Sequence, residues 1–461
     1  MTSHILNRIT ALALIALAGL ALLYLVAGQT WAAFPAQMML LALTVLVTPR
    51  FGLREWALAA LAIALAFGLI WYGLSVEIFD ALDKAAYFAA FIALLMLLRQ
   101  AAITSDAVLA VGHWISHQPP GRRFVTTWFG GHLAGILMNF GAVSLLAPLI
   151  QRGVRADPIK TEEDERRAQI REQRQLSALV RGFSPVITWA PTSLTQVIVL
   201  AAVPGIDPIK AMFYGLSLAI SVFAIGWVED RLNWGPPRIA PAPVVFPKRS
   251  GVDLLIVYGL LILGSGLVIL WLNVPLPQAL MTVSPLMLVG WVWSQNKWSL
   301  SPTRRRLGEI AVTALPDMAI NSVQMALAAF IGIAAARLAP VDLIAEWTEA
   351  RGIPGWVMVA GLPILITLAG QIALSPMMMV VFLAAVLSAL PALPAEPEFI
   401  AVALAAGWML SLTASPNATG ALLISAGTGI APIKITWIWN GRYSLLVIAA
   451  LTLAFWLLIG A

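Results

Sequence analysis

The chain has 461 residues, of which 60% are hydrophobic and only 11% are charged, with a net charge of +6. This composition indicates an integral membrane protein, excludes a large soluble domain, and gives no sign of nucleic-acid binding. Because cysteine is absent, disulfides, thiolate metal sites and a cysteine nucleophile are also excluded.

Eleven apolar segments are long enough, at roughly 20 residues, to be candidates for crossing a bilayer. In chain order they are 9–26, 34–49, 55–73, 85–99, 176–203, 211–229, 252–272, 278–294, 307–336, 399–427 and 435–459. The first follows Arg8 and is interpreted as a retained helix, with a cleaved signal peptide as the alternative. Two further apolar segments, 124–150 and 355–390, need separate treatment.

The positions of Lys and Arg predict how the chain crosses the membrane, because these residues favour the cytoplasmic side. We place the N-terminus inside and let 124–150 and 355–390 each enter and leave on one side. The outer loops then keep only Lys84, Lys210, Arg337 and Arg351, so 24 of the 28 Lys and Arg residues lie inside. The two segments are therefore predicted to be re-entrant hairpins, the first opening to the cytoplasm and the second to the outside.

The fold class predicted is an all-α polytopic membrane protein, with about eleven transmembrane helices and two re-entrant hairpins in two inverted-topology repeats. An N-terminal helix (1–33) precedes repeat 1 (34–229), a cytoplasmic linker (230–251) and repeat 2 (252–461). Segments 34–99 and 252–336 are expected to form a scaffold and dimer contact. The hairpins should move together with 176–229 and 399–459. Two amphipathic stretches, Thr104 to His117 and Val341 to Glu349, are predicted to lie in the membrane interface.

Each repeat contains one apolar segment that proline and hydroxyl residues should interrupt. Segment 399–427 contains Ser411-Leu-Thr-Ala-Ser-Pro-Asn-Ala-Thr-Gly420, and segment 176–203 contains Ser184-Pro-Val-Ile-Thr-Trp-Ala-Pro-Thr-Ser-Leu-Thr-Gln196. Proline removes a backbone donor and disfavours helix at the preceding residue. Two broken helices at matching places indicate a transporter binding site. The alternative is a pair of proline-kinked helices whose hydroxyls bond to their own backbone.

The two hairpins and the two interrupted stretches contain no Asp, Glu, Lys, Arg or Tyr, so His132 is their only titratable side chain. The ranges counted are 124–150, 184–203, 355–390 and 411–427. Half-helix N-termini suit an anion, and unwound carbonyls suit a sodium ion. The candidates for substrate contact are Asn139, Gly141, Thr192, Ser193, Ser375, Asn417 and Thr419. The candidates for a cation site are Asn139, Ser184, Thr188, Ser375, Thr413 and Asn417. For each, the alternative is a helix cap.

Asp317 and His132 are the candidates for proton coupling, since an intramembrane ionisable residue is functional by default. The alternative for Asp317 is a carboxylate in a wet vestibule or one that caps a proline break. His113 and His117 share a helix face, but without further ligands they favour interfacial packing over metal binding. No metal site is predicted. No cofactor is expected either, apart from a bound sodium ion if sodium is the coupling ion.

The layout resembles the ion transporter superfamily, and within it the divalent anion:sodium symporters and the arsenite permeases. Met138-Asn-Phe-Gly-Ala-Val-Ser-Leu-Leu-Ala-Pro-Leu149 is similar to the family's hairpin pattern, although it keeps the Asn of the Ser-Asn-Thr tip and lacks its Ser and Thr. Ser375-Pro376 stands at the second tip, and Ser415-Pro-Asn-Ala418 looks like the family's Thr-Pro-Pro-Asn. The resemblance implies a dimeric secondary active transporter that works by an elevator motion.

The predicted function is therefore secondary active transport of a small anion, either a carboxylate or an inorganic oxyanion, coupled to sodium or protons. The alternatives are the permease subunit of a multi-component carrier, and an ion/proton antiporter. An enzyme is not expected, because the sequence has no metal triad, nucleophile–base pair or carboxylate pair. The expected partners are the anion, a coupling cation, the lipid bilayer and a second copy of the chain, in a bacterial inner membrane.

Overall fold

The computed structural model describes residues 2–116, 118, 122–155, 161–234 and 245–460. Within these residues the chain is helical and contains no strand. The first eleven helices are α1 (Thr2–Leu25), α2 (Ala33–Val47), α3 (Leu53–Trp71), α4 (Ser75–Ala102), α5 (Asp106–Ser116), α6 (Arg123–Met138), α7 (Phe140–Val154), α8 (Glu162–Phe183), α9 (Val186–Trp189), α10 (Leu194–Ala202) and α11 (Pro208–Trp234).

The remaining ten helices are α12 (Lys248–Leu272), α13 (Leu276–Gln295), α14 (Leu300–Glu309), α15 (Leu315–Leu338), α16 (Val341–Ala350), α17 (Gly355–Gln371), α18 (Pro376–Ala389), α19 (Pro397–Ala414), α20 (Thr419–Thr428) and α21 (Trp439–Ile459). Eleven helical stretches in the described residues are long and apolar enough to cross a membrane. The prediction of an all-α polytopic membrane protein is confirmed.

The helices form two compact units, and each unit takes helices from both halves of the chain. One unit contains Met1–Ser105 and Leu255–Ala339, and the other contains Asp106–Leu254 and Pro340–Ala461. The hairpins and broken helices fall in the second unit, and segments 34–99 and 255–336 fall in the first. The scaffold role of the first unit stays a prediction. Relative motion of the two units stays a prediction.

The first unit is built around α4, which packs against α1, α2, α13 and α15. Buried alanines line α4, including Ala81, Ala85 and Ala89, and small side chains let membrane helices approach closely. Ion pairs tie the helix ends: Arg337 bonds to Glu77 at 2.9 Å. A π-helical turn, Ile310–Ala314, joins α14 to α15.

The second unit contains two helical hairpins and two interrupted helices. The hairpins are α6–α7, which turn at Asn139, and α17–α18, which turn at 372–375. The first interrupted helix is α8, which continues as α9 and α10. The second is α19, which continues as α20. The amphipathic stretches form α5 and α16, although His117 lies outside the described residues.

One boundary differs clearly from the sequence-based expectation. The helix of segment 176–203 begins at Glu162, so most of the polar run after Gln151 is helical rather than loop. A capping box starts it, because Thr161 accepts from the Asp164 backbone N–H while the Asp164 carboxylate accepts from Thr161. Hydropathy alone misses such an extension, because the added turns are stabilised by caps and charge pairs rather than by burial.

Candidate functional site

Helix α8 shows how the first hairpin and the second broken helix are aligned. Midway along α8, Glu172 accepts a 2.8 Å hydrogen bond from the Gln151 amide on α7, and the same amide donates to the Thr428 carbonyl at the end of α20. Near its end, the ring of Phe183 packs 5.1 Å from that of Phe140 at the start of α7. Helices α7 and α8 therefore run antiparallel.

The start of α20 lies at the same end of α8. A Cβ atom at Gly420 would lie 3.7 Å from the Cγ2 atom of Val180, while Thr428 lies near Gln151, which contacts the middle of α8. Helices α7 and α20 are therefore parallel, and both begin beside the C-terminal end of α8. At 1.5 Å per residue, Phe140 and Gly420 lie within about one helical turn of the same level.

A matching arrangement surrounds α19. The Ser388 hydroxyl near the end of α18 donates a 2.7 Å hydrogen bond to the Ala202 carbonyl at the end of α10. A Cβ atom at Gly205 would lie 3.6 Å from Pro397, at the start of α19. Helices α10 and α18 pack along α19 and end near its start, so both begin toward its C-terminal end. Because α9 also packs against α19, the two helix breaks lie in one region.

The residue after the central proline of each break bonds to its own hairpin. Thr192, which follows Pro191, donates from Oγ1 to the Ile136 carbonyl at 2.9 Å. Asn417, which follows Pro416, donates from Nδ2 to the Gln371 carbonyl at 3.0 Å and to that of Gly370 at 3.3 Å. Carbonyls in the last turn of a helix lack intrahelical partners. We call this pair of contacts the hairpin latches.

The hydroxyls of several other candidate residues are also hydrogen-bonded within the protein, mostly to backbone carbonyls. Ser193 donates to the Ile187 carbonyl and accepts from the Thr195 N–H, each at 3.2 Å. Thr188 lies within hydrogen-bond distance of the Pro185 and Gly215 carbonyls, and Thr413 lies 3.0 Å from the Ser444 hydroxyl and 3.1 Å from the Leu410 carbonyl. These three side chains are buried. They therefore act as caps and ties, and only the lone pairs of their oxygens remain for a ligand.

Other candidates keep free donors in the part of the chain that the structure describes. The side chains of Asn139, Ser375 and Thr419 make no hydrogen bond there, and Thr419 is exposed while the other two are half-buried. Asn139 has φ 51° and ψ −134°, an unusual conformation for a residue with a side chain. Gly141 lies in the first turn of α7. Ser184 is fully buried, and its hydroxyl has no partner among the described residues.

The two candidates for proton coupling have different surroundings. His132 is buried on α6 beside the rings of Trp128 and Trp189, whose centroids lie 4.7 and 5.7 Å away. Asp317 lies in the first unit, where its carboxylate is 80% exposed and pairs with Arg50 at 3.4 Å. The structure therefore groups His132, but not Asp317, with the broken helices. No cluster of three or more metal-binding side chains occurs among the described residues.

Sequence reasoning missed a buried ion pair beside the first break. The Arg181 guanidinium bonds to the Glu229 carboxylate on α11, and both side chains are almost fully buried. Arg181 also donates to Asn440 at 2.7 Å and lies over the Tyr443 ring, so it joins α8, α11 and α21. The signal available was a lone Arg inside an apolar segment, three residues before Ser184.

No protein-family model matches the chain, and no curated protein matches it in sequence. Two solved transporters have a similar fold. The YdaH transporter of Alcanivorax borkumensis, noted for an unusual topology, is 16% identical with a TM-score of 0.55, over 80% of this chain and 85% of that one. MtrF of Neisseria gonorrhoeae, from a class of antimetabolite efflux pumps, is 14% identical with a TM-score of 0.55, over 85% and 86%. The chain is thus an integral, multi-pass membrane protein with the fold of known membrane transporters.

Proposed function

We propose that this chain is a secondary active transporter that moves a small anion, either a carboxylate or an inorganic oxyanion, in the manner of the ion transporter superfamily. The observation that carries the proposal is that α7 and α20 both begin beside the C-terminal end of α8. Asn139 and Thr419 lie at these two helix starts, and their side-chain donors make no hydrogen bond among the described residues. A bacterial inner membrane fits this role.

The electrostatics of the breaks favour an anion over a cationic substrate. Each helix N-terminus carries roughly +0.5 of an elementary charge on its free N–H groups. The hairpin tips and breaks contribute no carboxylate. A hydrogen bond to a charged group is worth about 1.5–3 kcal/mol. Two parallel N-termini, together with the Asn139 amide and the Thr419 hydroxyl, therefore offer donors suited to a carboxylate or an oxyanion.

The oxygens of the breaks favour a coupling cation. The hydroxyls of Thr192 and Ser193, and the Asn417 amide nitrogen, donate to backbone carbonyls, which leaves oxygen lone pairs as their free capacity. The unpartnered Ser184 hydroxyl adds another oxygen. Oxygen lone pairs suit a sodium ion. Sodium is therefore one candidate for the coupling ion, and a proton at His132 is the other.

The elevator motion and the dimer belong to the same proposal. Both hairpins and both broken helices lie in the unit of Asp106–Leu254 and Pro340–Ala461. That unit would carry the substrate, while the unit of Met1–Ser105 and Leu255–Ala339 would act as the scaffold and dimer contact. The division of the chain into these two units supports the proposal.

The test is uptake by purified protein in proteoliposomes, across a panel of carboxylates and oxyanions, with imposed sodium or proton gradients. We expect gradient-driven uptake of at least one anion by the chain alone. Activity that appears only with a second subunit would favour the permease-subunit alternative. Activity with cations alone would favour an antiporter.

A pair of variants on α20 ties the transport to the site. Thr419→Val removes an exposed, unbonded hydroxyl at the start of the helix, so we expect a roughly ten- to hundredfold loss of apparent affinity if that hydroxyl contacts the anion. Ser425→Ala removes a hydroxyl from the same helix further from the break, and is the matched control. Equal affinities in the two variants would contradict the placement of the anion at the start of α20.

A further inference from the structure

His132 is held by two hydrogen bonds whose partners leave no choice of proton position. Its Nδ1 atom lies 2.8 Å from the Gly182 carbonyl oxygen, and its Nε2 atom lies 3.0 Å from the Trp189 indole nitrogen. A carbonyl can only accept, and an indole N–H can only donate. The Nδ1 atom must therefore carry the proton, and Nε2 must present its lone pair to Trp189. The imidazole is neutral in this conformation.

The fold makes this arrangement tight. Gly182 approaches α6 so closely that a Cβ atom there would lie 2.1 Å from the Trp128 carbonyl oxygen, so only glycine fits. This approach brings the Gly182 carbonyl to His132. The Trp128 indole stacks on one face of the imidazole with an interplanar angle of 11°, and the Trp189 indole lies at the Nε2 edge with its ring tilted by 16° from the imidazole plane.

A second proton on His132 is incompatible with the Trp189 contact. It would sit on Nε2, where its N–H would face the indole N–H, and two donors cannot bond to each other. Trp189 would have to move. Trp189 is the last residue of α9, immediately before the break at Ala190 and Pro191. The protonation of His132 is therefore linked to the position of the first broken helix.

Several buried polar side chains on α8 and α6 have no hydrogen-bond partner among the described residues. In the described part of the chain, the Gln175 Oε1, Ser177 Oγ and Ser184 Oγ atoms on or next to α8 are buried without a hydrogen-bond partner. On α6 the same holds for Thr127 Oγ1 and Trp128 Nε1. Such groups in native proteins are normally satisfied by ordered water.

The helices packed against α6 carry several titratable side chains, and two of their charged pairs form ion pairs. The helices packed against α6 are α5, α7, α8, α9 and α11, and α9 has no titratable side chain. The others carry Asp106 and His113 on α5, Arg152 on α7, Glu172, Arg174 and Arg181 among others on α8, and Lys210, Tyr214, Glu229, Asp230 and Arg231 on α11. Arg181, next to Gly182, is paired with Glu229, and Arg174 with Asp230. No hydrogen bond joins any of these groups to His132 in the described structure, and its two hydrogen-bond partners are the Gly182 carbonyl and the Trp189 indole.

We propose that His132 is the binding site of a coupling proton, and that proton binding and the Trp189 hydrogen bond exclude one another. A ligand that binds only one of two conformations shifts the population toward it. The proton thereby selects a state in which the first broken helix is released from α6. The coupling role rests on the proposed transport function, whereas the exclusion between proton and Trp189 does not.

The first test is NMR of protein labelled with ¹⁵N-histidine, in a variant whose other three histidines are Gln. We expect the neutral Nδ1–H tautomer of His132 near neutral pH. Trp189→Phe keeps an aromatic ring but removes the indole donor, and should raise the proton affinity of His132 about two- to tenfold, the value of one neutral hydrogen bond. Trp128→Phe is the matched control, because Trp128 stacks on His132 without bonding to it. An Nε2–H tautomer, or equal titration midpoints in the two variants, would overturn the proposal.

The second test follows the broken helix. Ala190→Cys places a thiol beside Trp189, and Ala418→Cys places one in the second break as a control for the pH dependence of maleimide chemistry; both alanines are buried. Relative to the control, labelling at position 190 should accelerate in acid, and His132→Gln should abolish that acceleration. If the ratio of the labelling rates at positions 190 and 418 does not change with pH, protonation of His132 does not release the first broken helix from α6. Because neither test needs transport, a chain that passes both but moves no anion would contradict only the proposed function.

Discussion

Replacing Glu229 by Gln tests whether the second unit depends on its buried ion pair. The Glu229 carboxylate is 6% exposed and accepts from Arg181, which is 5% exposed. The substitution preserves the volume of the side chain and one acceptor oxygen, but removes its charge. The guanidinium then stays buried between α8, α11 and α21 with neutral partners alone, namely the substituted amide, Asn440, Trp439 and Tyr443.

The expected cost follows from the burial of the charge. Removing one partner of a buried pair typically costs about 3–5 kcal/mol, because the other charge is left uncompensated. Exposed pairs at i,i+4 are worth only about 0.3–0.5 kcal/mol. Glu163, on the same helix α8, pairs with Arg167 in that way, with both side chains more than half exposed. Glu163→Gln is therefore the matched control.

The assay is thermal unfolding of the purified protein in one detergent. We expect Glu229→Gln to lower the midpoint by several degrees and Glu163→Gln to leave it close to wild type. The double variant Arg181→Met with Glu229→Met should lose less than the sum of its single variants, because it leaves neither charge unpaired. If Glu229→Gln and Glu163→Gln unfold at the same midpoint temperature, the buried ion pair of Arg181 and Glu229 does not stabilise the second unit.

Two further predictions concern the hairpin latches and the topology. Asn417→Ala should accelerate backbone amide exchange at the turn of the second hairpin only. Thr192→Val should accelerate it at the turn of the first hairpin only. Faster exchange at both turns in either variant would show that the two contacts are not independent. Asn417→Asp should be worse than Ala, because it sets a carboxylate against the carbonyls of the second hairpin. In right-side-out vesicles, a Cys at Gln169 should be shielded from an impermeant maleimide and one at Ala395 should react; the reverse would refute the predicted orientation.

The sequence could predict the membrane spans and the helix breaks because the bilayer and proline impose local rules. A span needs about 20 apolar residues whatever its neighbours are, and a proline such as Pro416 removes a backbone donor in any context. The grouping of segments into two units was also accessible, since it follows from the repeat. The start of α8 was not, because its first turns depend on the Thr161 capping box rather than on hydropathy.

The site was predictable only as a set of segments, because the role of each polar residue depends on a distant partner. Thr192 and Thr419 are the same residue type beside the same kind of break. Thr192 bonds to Ile136, which is 56 residues away, whereas Thr419 bonds to nothing among the described residues. Arg181 escaped notice for the same reason, since its partner Glu229 lies 48 residues further along the chain.

The hairpin latches bear on how a neutral site could couple a cation to an anion. Asn417 uses both hydrogens of its amide on the Gly370 and Gln371 carbonyls, while its Oδ1 atom makes no bond in the described structure. A cation bound at Oδ1 would polarise the amide and strengthen those two hydrogen bonds. It would thus tighten the second hairpin against the break before the anion arrives at the neighbouring N–H groups. Coupling would then need no charged side chain at the breaks, in agreement with the absence of Asp, Glu, Lys and Arg from 411–427 and 355–390.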